Sequence, residues 1–285
     1  MTDTTAKRRL SDDWSATAIT AGFLAVLVSN AGPLLIFLQS ARAMGVSEVV
    51  VSGWVAAISV TAGLASLVLS MTYRAPVLIA WSAPGVVLLG IVGPGMPFSD
   101  VVGAYVISAL LILVVGVSGL VGRLLTLIPP AVASGMMAGI LFTYGTKALS
   151  GLETATLLVS VMLLAFMLLS VVTPRFALIW MLAATLIFTW ATMEPVTEPP
   201  LIFPALTVTW PTFSWHAFLG LALPLTLTTL TGQFLAGLAI LKAYDFHPPA
   251  RPILVTSALA SLLGAAFGGI TTALASITMA MGASS

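Results

Sequence analysis

Apolar blocks of about 20 residues recur along this chain, divided by short polar, proline-bearing or glycine-bearing breaks. That is the length a helix needs to cross a bilayer. The breaks place a first span over Ser15–Gln39, a second over Val49–Met71 and a fourth over Val101–Leu120. A fifth follows over Ala131–Leu149, a sixth over Thr154–Val172 and a seventh over Phe176–Thr192. Residues 194–214 read as a proline-rich outer loop. An eighth span covers Trp215–Leu241, a ninth Ile253–Phe267, and a tenth segment opens at Gly268. The pattern predicts an all-α polytopic membrane protein with a polar tail over residues 1–14.

The third apolar block does not fit one regular helix. It runs from Tyr73 to about Gly93-Pro94-Gly95 and contains Pro76 and Pro84. Each proline lacks an amide donor and pushes the residue before it out of the helical region. Val77 to Trp81 are β-branched, aliphatic and aromatic, so they read as a short extended run of five residues. Ser82-Ala83-Pro84-Gly85 then reads as a helix start, with a capping serine and a proline near the first helical position. The competing reading is a single proline-kinked helix. Non-helical backbone at membrane depth is tolerated only where protein buries it or where it lines a cavity. A half-helix starting there should aim unpaired amides and a partial positive charge into that cavity, which suits an anion.

Composition sharpens this picture. The chain is 59% hydrophobic and 7% charged over 285 residues, too apolar for a soluble domain. Cysteine is absent, which removes disulfides, thiolate metal sites and thiol nucleophiles. With a cytoplasmic N-terminus and every segment crossing, the inner side holds Lys7, Arg8, Arg9, Arg74, Arg123, Arg175, Lys242 and Arg251. The outer side then holds only Arg42 and Lys147, the asymmetry expected of an inner-membrane protein with that orientation. All 9 acidic residues and both histidines fall at span ends or in loops. That leaves a membrane-embedded hydrolase without a base or metal ligands, so the chain does not read as an enzyme. Nothing in it calls for a cofactor, a metal or nucleic acid.

Leu64-Ala65-Ser66-Leu67 in the second span recurs as Leu259-Ala260-Ser261-Leu262 in the ninth. An irregular stretch follows each copy, the second being Gly268 to Thr278. The third and tenth segments would then be matching broken elements of an inverted repeat, the usual marker of a transporter's midplane site. The polar residues near the bilayer centre are few: Asn30, Ser82, Thr229, Thr231, Gln233, Ser276 and Thr278. Gln233 is the most demanding, because a primary amide in hydrocarbon must find partners. It fits either a donor to a solute or hydrogen-bond glue between helices. Asn30, beside Gly32-Pro33, equally fits a group that satisfies kinked backbone.

Two stretches resemble the BenE-type benzoate/proton symporters, relatives of the nucleobase–ascorbate transporters. One is Pro76-Val77-Leu78-Ile79-Ala80-Trp81-Ser82-Ala83-Pro84-Gly85. The other is Gln233-Phe234-Leu235-Ala236-Gly237-Leu238-Ala239-Ile240-Leu241, with Pro248-Pro249 following. The resemblance implies a seven-plus-seven inverted-repeat transporter fold with broken strand and half-helix segments 3 and 10. It implies a core domain built from residues 15–120 and 215–285 and a gate domain whose first part is 121–193. It implies a solute held by Trp81, Ser82, Ala83, Pro84 and Gly85, by Gln233 and Gly237, and by Ala275, Ser276, Ile277 and Thr278. The expected solute is a small organic anion of benzoate type, imported with a proton by alternating access, with a homodimer as the assembly to test. Two departures matter. Family members often carry His and Asn where this chain has Ile270 and Ala273, a departure that bears on benzoate itself more than on an aromatic or other organic acid; a nucleobase or inorganic-anion carrier of the same fold is the alternative. An equal second repeat would end near roughly residue 380–390. The sequence runs to 285, so the resemblance implies that only part of a second repeat is present in it. A longer reading frame is expected; a transport-inactive membrane protein that works through assembly is the rival.

Overall fold

The structure, a computed structural model, describes residues 36–119, 149–153, 155–173, 177–192 and 204–275, with a few isolated positions such as Leu34 and Met279. Most of the predicted first and fifth spans, and Asn30, lie outside the described residues. The chain forms two compact units, Met1–Met137 with Ile202–Ser285, and Ala138–Leu201.

In the first unit, α1 (Glu48–Tyr73) begins after Ser47 and stops at Arg74, which takes a left-handed conformation with φ 48°. Strand β1 (Ile79–Trp81) and helix α2 (Ala83–Val92) follow, then α3 (Phe98–Ser118). In the second unit, α4 (Thr156–Val172) packs on α5 (Ala177–Thr192). The side chains of α4 are not buried among the described residues, as expected of a helix whose solvent is lipid. The chain returns to the first unit with a long helix α6 (Trp215–Ala243), then α7 (Ala250–Ala265) and strand β2 (Thr272–Leu274). Helices α1, α3 and α6 are each long and apolar enough to cross a membrane.

The broken third segment is a strand and a half-helix, not a kinked helix. The strand is shorter than predicted, three residues instead of five, although Leu78 O still accepts from Ala275 N at 2.9 Å one step beyond its end. β1 pairs antiparallel with β2, with Ile79 opposite Leu274, Ala80 opposite Ala273 and Trp81 opposite Thr272. Gly268, the predicted opening of the tenth segment, lies beyond the end of α7. It has φ +83° and its α-carbon rests against the Trp54 indole, so both conformation and space demand glycine there.

Two apolar clusters meet at the strands. Phe37, Trp54, Trp81, Tyr105, Leu221 and Leu225 belong to one. Leu69, Ile79, Ile112, Leu230, Phe234 and Leu274 belong to the other. Residues 204–214 run without helix across this unit. Thr209 N donates to Ala266 O at 3.1 Å and Thr212 N to Ser99 O at 3.1 Å. The Ala205 and Thr212 carbonyls lie flush on Gly53 and Gly103, with no room for a β-carbon.

Candidate functional site

A two-stranded ribbon in hydrocarbon has two bare outer edges, and each unmet backbone group there is costly. Serines on the flanking helices meet them. Ser66 on α1 accepts from Ile79 N at 2.8 Å and donates toward Ile79 O at 3.2 Å. Ser70, one turn along, accepts from Val77 N at 3.1 Å and donates to Val77 O at 3.0 Å. On the other edge, Ser261 of α7 accepts from Thr272 N at 2.8 Å, and Ser257 donates to Thr272 O at 2.8 Å. The serines of the two Leu-Ala-Ser-Leu copies thus do the same task. Each takes the N–H of the first residue of the strand that follows it.

The ribbon hands over directly to α2. Ser82 N donates to Thr271 O at 2.9 Å, extending the ladder one step past Trp81 and Thr272. Ser82 then caps the helix, its hydroxyl accepting from Gly85 N at 3.2 Å. Its carbonyl takes Val86 N at 2.9 Å, and Pro84 has no N–H. The sequence predicts a row of unpaired amides here; the structure corrects this. The cap and the proline leave the positive end of the helix dipole but use up most first-turn donors. Recognition must draw on side chains.

Gly85 sits against Leu225 and Ile270, and a β-carbon there would also come 3.0 Å from Ser82 Oγ. Trp81 is buried, and its ring meets Phe37 edge-on at 5.5 Å. Phe37 meets Trp54 at 5.4 Å, and Trp54 stacks on Phe98 at 4.4 Å. This aromatic chain leads away from the ribbon, and nothing in the spacing of its four members along the sequence announces it.

Helix α6 departs from α-helical geometry twice, over Phe218–Ala222 and Thr229–Phe234, where it widens into π-turns. The first lies just ahead of Pro224, which has no N–H to give and crowds the preceding turn. Such bulges recur at functional sites. Thr226, Thr228 and Thr231 return their hydroxyls to their own helix, at 2.8, 2.8 and 2.7 Å. Thr226 also reaches Ser108 on α3 at 2.9 Å. Thr229 behaves differently: its hydroxyl meets Ser82 Oγ at 3.3 Å, tying the second π-turn to the cap of α2.

Gln233 lies in the same π-turn. It is buried and makes no hydrogen bond among the described residues, and its Oε1 is shut off from solvent without a partner. The helix-glue reading therefore finds no support in this conformation. Gly237, one turn on, is where α6 approaches β2, with a β-carbon falling 2.6 Å from Leu274 Cβ and 2.8 Å from Met279 Cε. Its part is close packing, not an open face. Met279 N donates to Ala275 O at 2.9 Å. Ser276, Ile277 and Thr278 lie outside the described residues. The structure thus gathers Trp81, Ser82, Pro84, Gly85, Gln233, Gly237 and Ala275 around one crossing. Sequence reasoning missed Thr271, which is wholly buried with a hydroxyl that has no partner. Only the strand register could have singled it out from Thr272.

A family profile described as BenE, benzoate membrane transport protein, matches residues 12–285. The chain belongs to the BenE family. A benzoate membrane transport protein from Acinetobacter baylyi (strain ATCC 33305 / BD413 / ADP1) is 43% identical over 279 residues, covering 96% of this chain and 70% of that protein. Inner membrane protein YdcO from Escherichia coli (strain K12) is 35% identical over 262 residues, covering 92% and 67%. This BenE family member is a helical polytopic membrane protein of a transport family; the family profile and the Acinetobacter relative both carry the name of a membrane transport protein.

Proposed function

We propose that this BenE family member carries an aromatic carboxylate of benzoate type across the inner membrane, held at the crossing of β1 and β2. The observation that carries the reading is Gln233: a buried amide without a partner, on the helix that Thr229 ties to the cap of α2. An amide can present either its oxygen or its N–H₂ to a ligand, so it can serve a carboxylate or a protonated acid. The positive end of α2 favours the anion, and the Trp81–Phe37 pair supplies an apolar aromatic wall. A proton travels with the solute, and the carboxylate's own ionisation provides a carrier where the spans offer none. Transport proceeds inward by alternating access, with the core (residues 15–120 and 215–285) rocking against the gate that begins at 121–193. The N-terminus is cytoplasmic, in line with the basic-residue asymmetry.

Benzoate uptake by the full chain in proteoliposomes, with and without an inward proton gradient, tests this. Gln233→Ala should weaken benzoate affinity about tenfold, the scale of one lost hydrogen bond to a charged group, and Ser82→Ala should weaken it less. Unchanged uptake in Gln233→Ala removes the site assignment. Displacement of benzoate by excess uracil or sulfate turns the reading toward a nucleobase or inorganic-anion carrier.

A further inference from the structure

We infer that Thr271 is a further solute-binding residue, its hydroxyl donating to the anionic end of the carried molecule beside the start of α2. The identity of that anion rests on the benzoate reading; the role of the hydroxyl does not.

Thr271 is fully buried and its Oγ1 has no partner, a state that native structures rarely leave unexplained. Its neighbour shows what satisfaction looks like. The Thr272 hydroxyl donates to Ser257 O at 3.1 Å and lies 3.1 Å from Ser261 Oγ. No such outlet serves Thr271. The ladder tells where its side chain goes. Ser82 N donates to Thr271 O, which makes the two residues direct cross-strand neighbours. Directly opposed residues of an antiparallel pair carry their side chains on the same face, about 5 Å apart. The Thr271 hydroxyl therefore shares a face with the Ser82 hydroxyl, at the start of α2. The Ser82 hydroxyl is already engaged, accepting from Gly85 N and meeting Thr229 Oγ1 in a pair where either oxygen can donate. Thr271 can donate there. Gln233, four residues beyond Thr229 on α6, is the other buried group without a partner next to that cap. Near a helix's positive end, the Thr271 hydroxyl and the Gln233 amide, with its N–H₂ turned to the solute, make a cradle for an anion.

The test uses Thr271→Val, which keeps the shape and removes the hydroxyl, and Thr271→Ser, which keeps the hydroxyl. Equilibrium binding of benzoate, uracil and sulfate to the full-length chain in nanodiscs is measured beside the unliganded melting temperature. The expected result is an affinity for benzoate about tenfold weaker in Thr271→Val, near wild type in Thr271→Ser, with both melting temperatures unchanged. Equal affinity in Thr271→Val and wild type overturns the inference, as does an equal loss in both variants. A wild type that binds uracil or sulfate but not benzoate overturns the benzoate reading alone, and the same Val/Ser contrast on that solute then decides Thr271. A wild type that binds none of the three overturns both.

Discussion

Single hydroxyls decide much of this molecule. Ser66 and Ser261 each accept the N–H that opens a strand, and neither N–H has water to fall back on. Ser66→Ala and Ser261→Ala should each cost about 1–3 kcal/mol, read as lowered melting temperatures in detergent, with no comparable loss for the exposed Ser118→Ala. At this scale the sequence was legible where local chemistry acts alone. Ser82 could be recognised as a cap because Pro84 and the extended run before it leave few other conformations. Thr271 could not, because Thr271 and Thr272 look alike until the register is known. One hydroxyl then goes to Ser257 and Ser261, and the other to nothing. The Leu-Ala-Ser-Leu recurrence was visible as a repeat, but its reason, a hydroxyl aimed at a strand edge 11 or 13 residues on, appears only in three dimensions.

Among the elements, α2 and α6 define the site. The break between β1 and α2 follows from two prolines eight positions apart, and the structure differs from expectation there in the length of the strand and in the first-turn amides, which Ser82 satisfies. Helix α6 was legible as one long apolar span and illegible in its winding. Its second π-turn has no proline of its own, and apolar periodicity over six residues does not distinguish a π-turn from an α-turn. The winding matters because it sets the azimuth of Gln233 relative to Thr229. Deleting Gly232 should let the segment return to α-helical spacing and change the azimuth of Gln233 relative to Thr229. The expected outcome is a chain that still inserts and stays helical by circular dichroism but loses benzoate uptake; retained uptake would mean that the π-turn does not position the amide.

At the level of the whole chain, the helical membrane class was readable from block length and composition, which report burial in lipid directly. The path of residues 204–214 was not. Proline content predicts a loop, but its landing places, Gly53, Gly103 and Ala266, come from helices 50 to 150 residues away. Thr212 adds a side-chain hydrogen bond to Asp100 at the start of α3. A β-carbon at Gly103 would strike the Thr212 carbonyl, and backbone yields less readily than a flexible side chain. Gly103→Ala should therefore cost about 1–3 kcal/mol, and limited proteolysis should find the segment newly cleavable. A melting temperature and cleavage pattern identical to wild type would show that the segment is not held in this way.

The serine clasps at the ribbon's outer edges carry a mechanical implication. With hydroxyls of α1 and α7 holding one side of each strand and the partner strand holding the other, the crossing resembles a riveted joint more than a hinge. Prising β1 from β2 would strand backbone groups in a medium that offers them nothing, at several kcal/mol apiece. On the transport reading proposed above, whatever admits a solute from either side would have to slide past that joint without passing through it.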